Sequence, residues 1–243
     1  MKITFWLTML FLTSGALVDL CAKTPGGKPS RKLKVVIDAS HDGGAWWFPQ
    51  GPPPFDSEKW HQGSELAAYF KGRGWEVVEI PRGTRMTDQL RGASILVRLN
   101  LFGTYTDSEV EAYREFVRKG GSLLLVQAFV RDDEKEHDSV ARAFGVRFEG
   151  KAEADLMQSA DAYSSDFNNT VYQIGSIVAL YPKSTRPLAY LEGSDRLVMG
   201  MFRFGRGRVV FLSSVYSILH VRQQFTGRLF DELARAHSRR KRR

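Results

Sequence analysis

The sequence predicts an α/β protein: a doubly wound, mainly parallel sheet flanked by helices, with a β-hairpin near the C-terminus. Three observations lead there. Apolar strand-like runs alternate with amphipathic helix-like segments from Leu33 to Val126, the pattern of a parallel sheet with helices on both faces. The runs Leu33–Asp38 and Ser122–Val126 are almost continuously apolar, as expected of strands buried on both sides. Late in the chain, Leu197–Phe204 and Arg208–Ser213 flank Gly205-Arg206-Gly207, which reads as two strands joined by a tight turn.

Each element follows from its own pattern. Thr24–Lys32 is rich in Gly, Pro, Lys and Ser and reads as a linker. The strand Leu33–Asp38 opens the sheet. Ala39–Asp56 is a long loop holding Pro49, Pro52, Pro53 and Pro54. A helix is expected over Ser57–Gly72, with Trp60, Leu66, Ala67 and Phe70 on its apolar face and glycines at its end. Trp75–Ile80 is the second strand, Thr87–Arg91 a short helical connection and Ser94–Leu99 the third strand. Thr106 and the acids Asp107 and Glu109 mark the start of a helix over 107–119, and Val110, Tyr113, Phe116 and Val117 recur at helical spacing. Gly120-Gly121 ends it, and Ser122–Val126 follows as the fourth strand. A helix over Glu134–Phe144 and a short strand over Val146–Phe148 come next. The stretch 150–185 is less regular, with a strand expected within Val171–Leu180. Leu188–Leu191 precedes the hairpin, and Tyr216–His237 closes the domain as a helix.

The ends of the chain differ from its body. Residues 1–22 read as a secretory signal: Lys2 is the positive start, Ile3–Leu12 the apolar stretch and Ser14-Gly15-Ala16 a small-residue cleavage region. Val18-Asp19-Leu20 ahead of Cys21 does not resemble a lipobox. Cys21 is the only cysteine, so disulfides and thiolate chemistry are excluded once cleavage removes it. An exported protein without disulfides fits a bacterial periplasm, or the bacterial exterior, better than a eukaryotic secretory pathway. The net charge is +8, but five basic residues fall in the linker region 23–34 and five in the tail 239–243. The body between them is therefore slightly acidic. Nucleic acid is not an expected partner; the basic ends suit a protein partner or an anionic envelope surface. The domain organisation is a signal peptide over 1–22, a basic linker over 23–32, the α/β domain over 33–237 and a basic tail over 238–243.

Right-handed crossovers put the loops that leave the parallel strands on one edge of the sheet, where open α/β sheets bind ligands. The chemistry-bearing residues gather there. Asp38, Ser40, His41 and Asp42 leave the first strand, Gly43-Gly44 allows close backbone approach, and Trp46, Trp47 and Phe48 offer a surface for a sugar ring or another flat ligand. Acid, imidazole and acid can orient a general base or hold a metal. Equally, Asp38 can cap the turn with its carboxylate while His41 bonds locally. Arg98, Asn100 and Tyr105 around the end of the third strand, and Gln127 after the fourth, share the edge with His41. The expected ligand-binding set is Asp38, His41, Asp42, Gly43, Gly44, Trp46, Trp47, Asn100 and Gln127, with no cofactor and no resident metal. His61 and Glu65 lie one helical turn apart, a spacing that an exposed pair explains.

Three stretches together resemble one known family: Asp38-Ala39-Ser40-His41 at the end of the first strand; Phe116-Val117-Arg118-Lys119-Gly120-Gly121-Ser122-Leu123-Leu124-Leu125; and Gly205-Arg206-Gly207-Arg208-Val209-Val210-Phe211-Leu212. Over residues 33–237 the chain is similar to the class I glutamine amidotransferase-like superfamily. The similarity is to its non-amidotransferase branches: trehalose-utilisation-like proteins, gliding-motility-associated transport proteins and the related domain of an intraflagellar transport protein. The resemblance implies a flavodoxin-like sheet. It also implies what is missing. The family's enzymes carry a nucleophilic cysteine in the turn after the fourth strand, where this chain has Gln127-Ala128-Phe129, and a His-x-Glu pair late in the chain, which His220 and His237 do not form. Glutaminase activity is not expected, because Gln, Ala and Phe supply no nucleophile of that kind. The expected function is a non-catalytic exported domain that binds a small molecule, a glycan or a protein at its loop edge. The alternative is a hydrolase using His41 with Asp38 or Asp42, with or without a metal.

Overall fold

The computed structural model describes residues 32–38, 40–41, 64–80, 84–99, 104–127, 139–150, 157–159, 176–213, 227 and 229–234. The expected signal and tail, the linker up to residue 31, the loop from Asp42 to Asp56 and most of the closing helix lie outside these residues.

The β-branched and aliphatic runs form ten strands among the described residues. Strands β1 (Lys34–Asp38), β2 (Glu76–Ile80), β3 (Ile95–Leu99) and β4 (Ser122–Val126) are joined by helix α1 (Ser64–Gly72), a single 3-10 turn at Met86–Gln89 and helix α2 (Asp107–Arg118). Helix α3 (Ser139–Arg142) leads to β5 (Arg147–Glu149), β6 (Met157–Ser159), β7 (Ile177–Leu180), β8 (Arg186–Leu191), β9 (Leu197–Phe204) and β10 (Gly207–Leu212). Eight strands form one sheet in the order β2-β1-β3-β4-β10-β9-β8-β6, and β5 pairs with β7 apart from it. The first five strands of that order run parallel. From β10 onward the sheet turns antiparallel through the hairpin to β9, then β8 and β6.

This is the flavodoxin-like arrangement in which β1 and β3 mark the switch point: the chain leaves β1 towards β2 on one side, then returns to extend the sheet on the other. The antiparallel extension is longer than a single hairpin, and β6 falls in the stretch the sequence left irregular. Three residues give too short a run for alternation to register.

Both faces are covered. On one, Val35, Ile37, Val97 and Val210 meet Leu66 and Phe70 of α1 and Leu229, Phe230 and Leu233 of the C-terminal helix, whose described part is 227 and 229–234. Phe70 stacks on Trp75 and meets Phe230 edge-on, with ring centroids 4.6 Å apart. Ser122 Oγ donates to the carbonyl of Leu233 at 2.8 Å, fixing that helix to the start of β4. On the other face, Val36, Leu96, Leu123 and Phe211 pack against Tyr113, Phe116 and Val117 of α2 and Val140 and Ala141 of α3. The apolar stripe of α2 thus buries as its spacing predicts.

Candidate functional site at the switch point

Asp38 ends β1 and is Arg98's register partner across the β1–β3 pair. Both are buried, Arg98 completely, and both lie on the α2 face, because side chains two apart on a strand share a face and Val36 and Leu96 are there. A buried charge is tolerated only when its donors and acceptors are met. Oδ1 of Asp38 accepts the backbone N–H of Ser40 at 2.9 Å, and Oδ2 accepts the hydroxyl of Tyr113 from α2. Arg98 Nη1 donates to the carbonyl oxygens of Asp38 at 2.9 Å and of His41 at 3.5 Å. Its guanidinium also lies 5.4 Å from the ring centroid of Tyr105.

His41 completes the cluster. Its ring packs on Tyr105, centroids 4.2 Å apart, and Nε2–H donates to Glu109 Oε1 at 2.8 Å. Glu109 is held from behind. It is the third residue of α2, and its Oε2 accepts from Thr106 N at 2.8 Å and Thr106 Oγ1 at 2.9 Å, while its own N–H donates to Thr106 Oγ1. This is a complete capping box, so one carboxylate caps the helix and fixes His41 at once. His41 and Glu109 are each about one-fifth exposed and form the part of the cluster that reaches solvent.

The electrostatics follow from this geometry. Burial works against the charge of Glu109, but the Thr106 N–H and the bond from His41 outweigh it and hold the carboxyl below its ordinary range. Burial pushes the Tyr113 phenol well up, and the neighbouring Asp38 carboxylate pushes it further. Burial likewise raises Tyr105, despite the Arg98 charge beside it. For Arg98 burial opposes the charge, yet Tyr105 and Asp38 more than offset this and its pKa is raised. The cluster therefore carries a fixed cation, two buried phenols that keep their protons, and an ionised Glu109.

Gln127 follows β4 on the same sheet edge and is buried. Its N–H donates to the carbonyl of Leu212 at 2.9 Å, and its own carbonyl accepts from Ser176 Oγ. It occupies the turn where the resembling enzymes carry their cysteine. Of the expected site residues, the structure thus places Asp38, His41 and Gln127 on one edge and brings Asp38 and His41 into one hydrogen-bonded cluster through Arg98. Asp42, Gly43, Gly44, Trp46, Trp47 and Asn100 lie outside the described residues, as does His61. The turn-capping role of Asp38 holds, whereas the bond of His41 is long-range rather than local. Glu109 and Tyr113 were legible only as a capping acid and an apolar stripe position. The one sequence signal pointing to Glu109 was its place three residues after Thr106. No group of three or more His, Cys, Asp or Glu able to hold a metal occurs among the described residues.

Fold and site together define a flavodoxin-like α/β domain with a buried polar cluster at the β1–β3 switch point and no cysteine in the turn after β4. More particularly, residues 56–218 match the family described as a domain of unknown function, DUF4350, and the chain belongs to that family. No curated protein matches it. Among solved structures, the mmIFT52 N-terminal domain is similar at 10% identity and a TM-score of 0.52, covering 82% of this chain and 94% of that one. Cytoplasmic protein STM1381 from Salmonella typhimurium LT2 is similar at 11% identity and a TM-score of 0.52, covering 83% and 98%. Gan42B, a GH42 β-galactosidase from G. stearothermophilus, is similar at 14% identity and a TM-score of 0.52, covering 84% of this chain. The chain spans about 30% of that enzyme's length. These likenesses establish the fold.

Proposed function

We propose that the chain is an exported, non-catalytic binding domain whose loop after β1 takes up a small molecule or glycan at the β1–β3 switch point. One observation carries the reading: the polar cluster converges on the root of that loop. The carboxylate of Asp38 holds the N–H of Ser40, Arg98 holds the carbonyls of Asp38 and His41, and Glu109 holds the His41 ring. Such a network spends its donors on positioning the backbone of residues 38–41, after which the sequence runs on to Asp42, two glycines and Trp46-Trp47-Phe48. Aromatic rings recognise the apolar face of a sugar. Export rests on the signal-like residues 1–22, and the basic ends supply attraction to an anionic envelope surface.

The test is a glycan and metabolite binding screen on the purified full chain, with His41→Ala and Trp46→Ala compared by circular dichroism for intact fold. Binding by the wild type that drops at least tenfold in both folded variants is expected; unchanged binding in both overturns the loop as the site. The His41–Glu109 contact favours a second reading, a hydrolase in which His41 is oriented by Glu109 rather than by Asp38. Turnover of ester, amide or glycoside substrates that is lost in His41→Ala would select it. Cell fractionation with N-terminal sequencing of the mature chain tests export.

A further inference from the structure

A second charged site lies at the opposite edge of the sheet, where the parallel strands begin. Arg203 of β9 and Arg208 of β10 are direct register partners, so their side chains leave the same face of an antiparallel pair. Arg186 of β8 is the register partner of Met201, two residues from Arg203 on that face. The C-terminal helix supplies one carboxylate. Glu232 Oε1 takes Arg208 Nη1 at 2.7 Å and stands 3.7 Å from Arg186 Nη2, while Arg208 also donates to the backbone carbonyl of Glu232 at 3.1 Å. Among the described residues Arg203 forms no ion pair. Arg186, Arg203, Arg208 and Glu232 line a cavity of about 270 Å³ together with Ser184, Met201 and Phe202.

Like charges set directly across a strand pair are unfavourable, and among the described residues of this cavity one carboxylate is set against three cations. We propose that this cavity binds a phosphate group, independently of the loop edge, with Arg186 and Arg203 as the contacting cations and Arg208 held in place by Glu232. Guanidinium forks match the oxygens of phosphate in pairs, and a dianion balances the excess charge. Ser184 adds a hydroxyl at the rim.

The experiment is calorimetric titration of the full chain with inorganic phosphate at constant ionic strength, with chloride as control and malonate as a dicarboxylate comparison. Saturable phosphate binding is expected, weakened at least tenfold by Arg203→Gln and by Arg186→Gln. It should be unchanged in Arg206→Gln, which removes one exposed charge from the hairpin turn outside the cavity. Absence of saturable binding, equal weakening in all three variants, or binding of malonate without phosphate would each overturn the proposal. Because no step involves the loop after β1, binding in a His41→Ala protein should match the wild type, which separates this site from the loop-edge reading.

Discussion

At the scale of single residues, Asp38 and Arg98 show how two charges are kept inside an apolar sheet. Neither is left to the hydrocarbon around it: the carboxylate accepts a backbone N–H and a phenol, and the guanidinium donates to two carbonyls. Removing one partner is therefore costlier than its modest net contribution would suggest, because the other remains buried and unmatched. Tyr113→Phe takes away one donor to Asp38 without changing shape. It is expected to lower stability by about 1–3 kcal/mol, read as a lower urea midpoint at unchanged slope. Arg98→Leu leaves the cluster without its cation and is expected to cost about 3–5 kcal/mol; unfolding of the two variants with equal midpoints would contradict the central place given to Arg98. The sequence offered Arg98 as a residue near the end of β3. It did not reveal the burial, because an arginine within an apolar run looks the same whether it snorkels to water or turns inward.

At the scale of elements, the helix–glycine–strand junction and the hairpin, two separate motifs in sequence, are one packing unit in space. The Phe116 ring sits where a Cβ on Gly121 would stand, and a Cβ on Gly207 would fall on the carbonyls of Gly121 and Val117. Arg206 N donates to the carbonyl of Arg118 at 3.1 Å, so the turn of the hairpin also caps the end of α2. Gly207→Ala forces backbone against backbone, and a loss of about 1–3 kcal/mol is expected in thermal or urea unfolding. At the other end of α2, Thr106→Ala removes the side-chain half of the capping box and is expected to cost about 0.5–2 kcal/mol. It should also loosen His41, since the Glu109 carboxylate then loses one of its three hydrogen bonds, that from Thr106 Oγ1. Broadening or shift of the His41 ring resonances by NMR, beyond that seen in Gly207→Ala, checks that link. Both glycine motifs were legible from the sequence, as was the cap. Their contact was not, since local patterns carry no information on which turn meets which helix end.

At the scale of the whole molecule, the ionisable groups of the switch-point cluster make stability depend on pH at both extremes. Glu109 has a lowered pKa; its contribution is present above the ordinary carboxylate range and is lost as pH falls through its lowered value. Denaturation midpoints measured down through the acid range should therefore fall less steeply in Glu109→Gln than in the wild type. Tyr113 has a raised pKa; the folded state keeps the proton that the unfolded state sheds, so this contribution is intact below the ordinary phenol value near 10 and declines as pH rises beyond it. Tyr113→Phe should flatten the alkaline limb. By itself the sequence determined the order of the elements, the buried parallel strands β1 and β4, the amphipathic α2 and the hairpin, because periodicity and turn chemistry are written in neighbouring residues. Only the tertiary structure decided that the sheet extends antiparallel to β6, that Glu109, 68 residues away, is the partner of His41, and that Arg186 of β8 and Arg208 of β10 meet one carboxylate, Glu232. Those pairings depend on strand register and helix docking, which bring together groups that no local pattern connects.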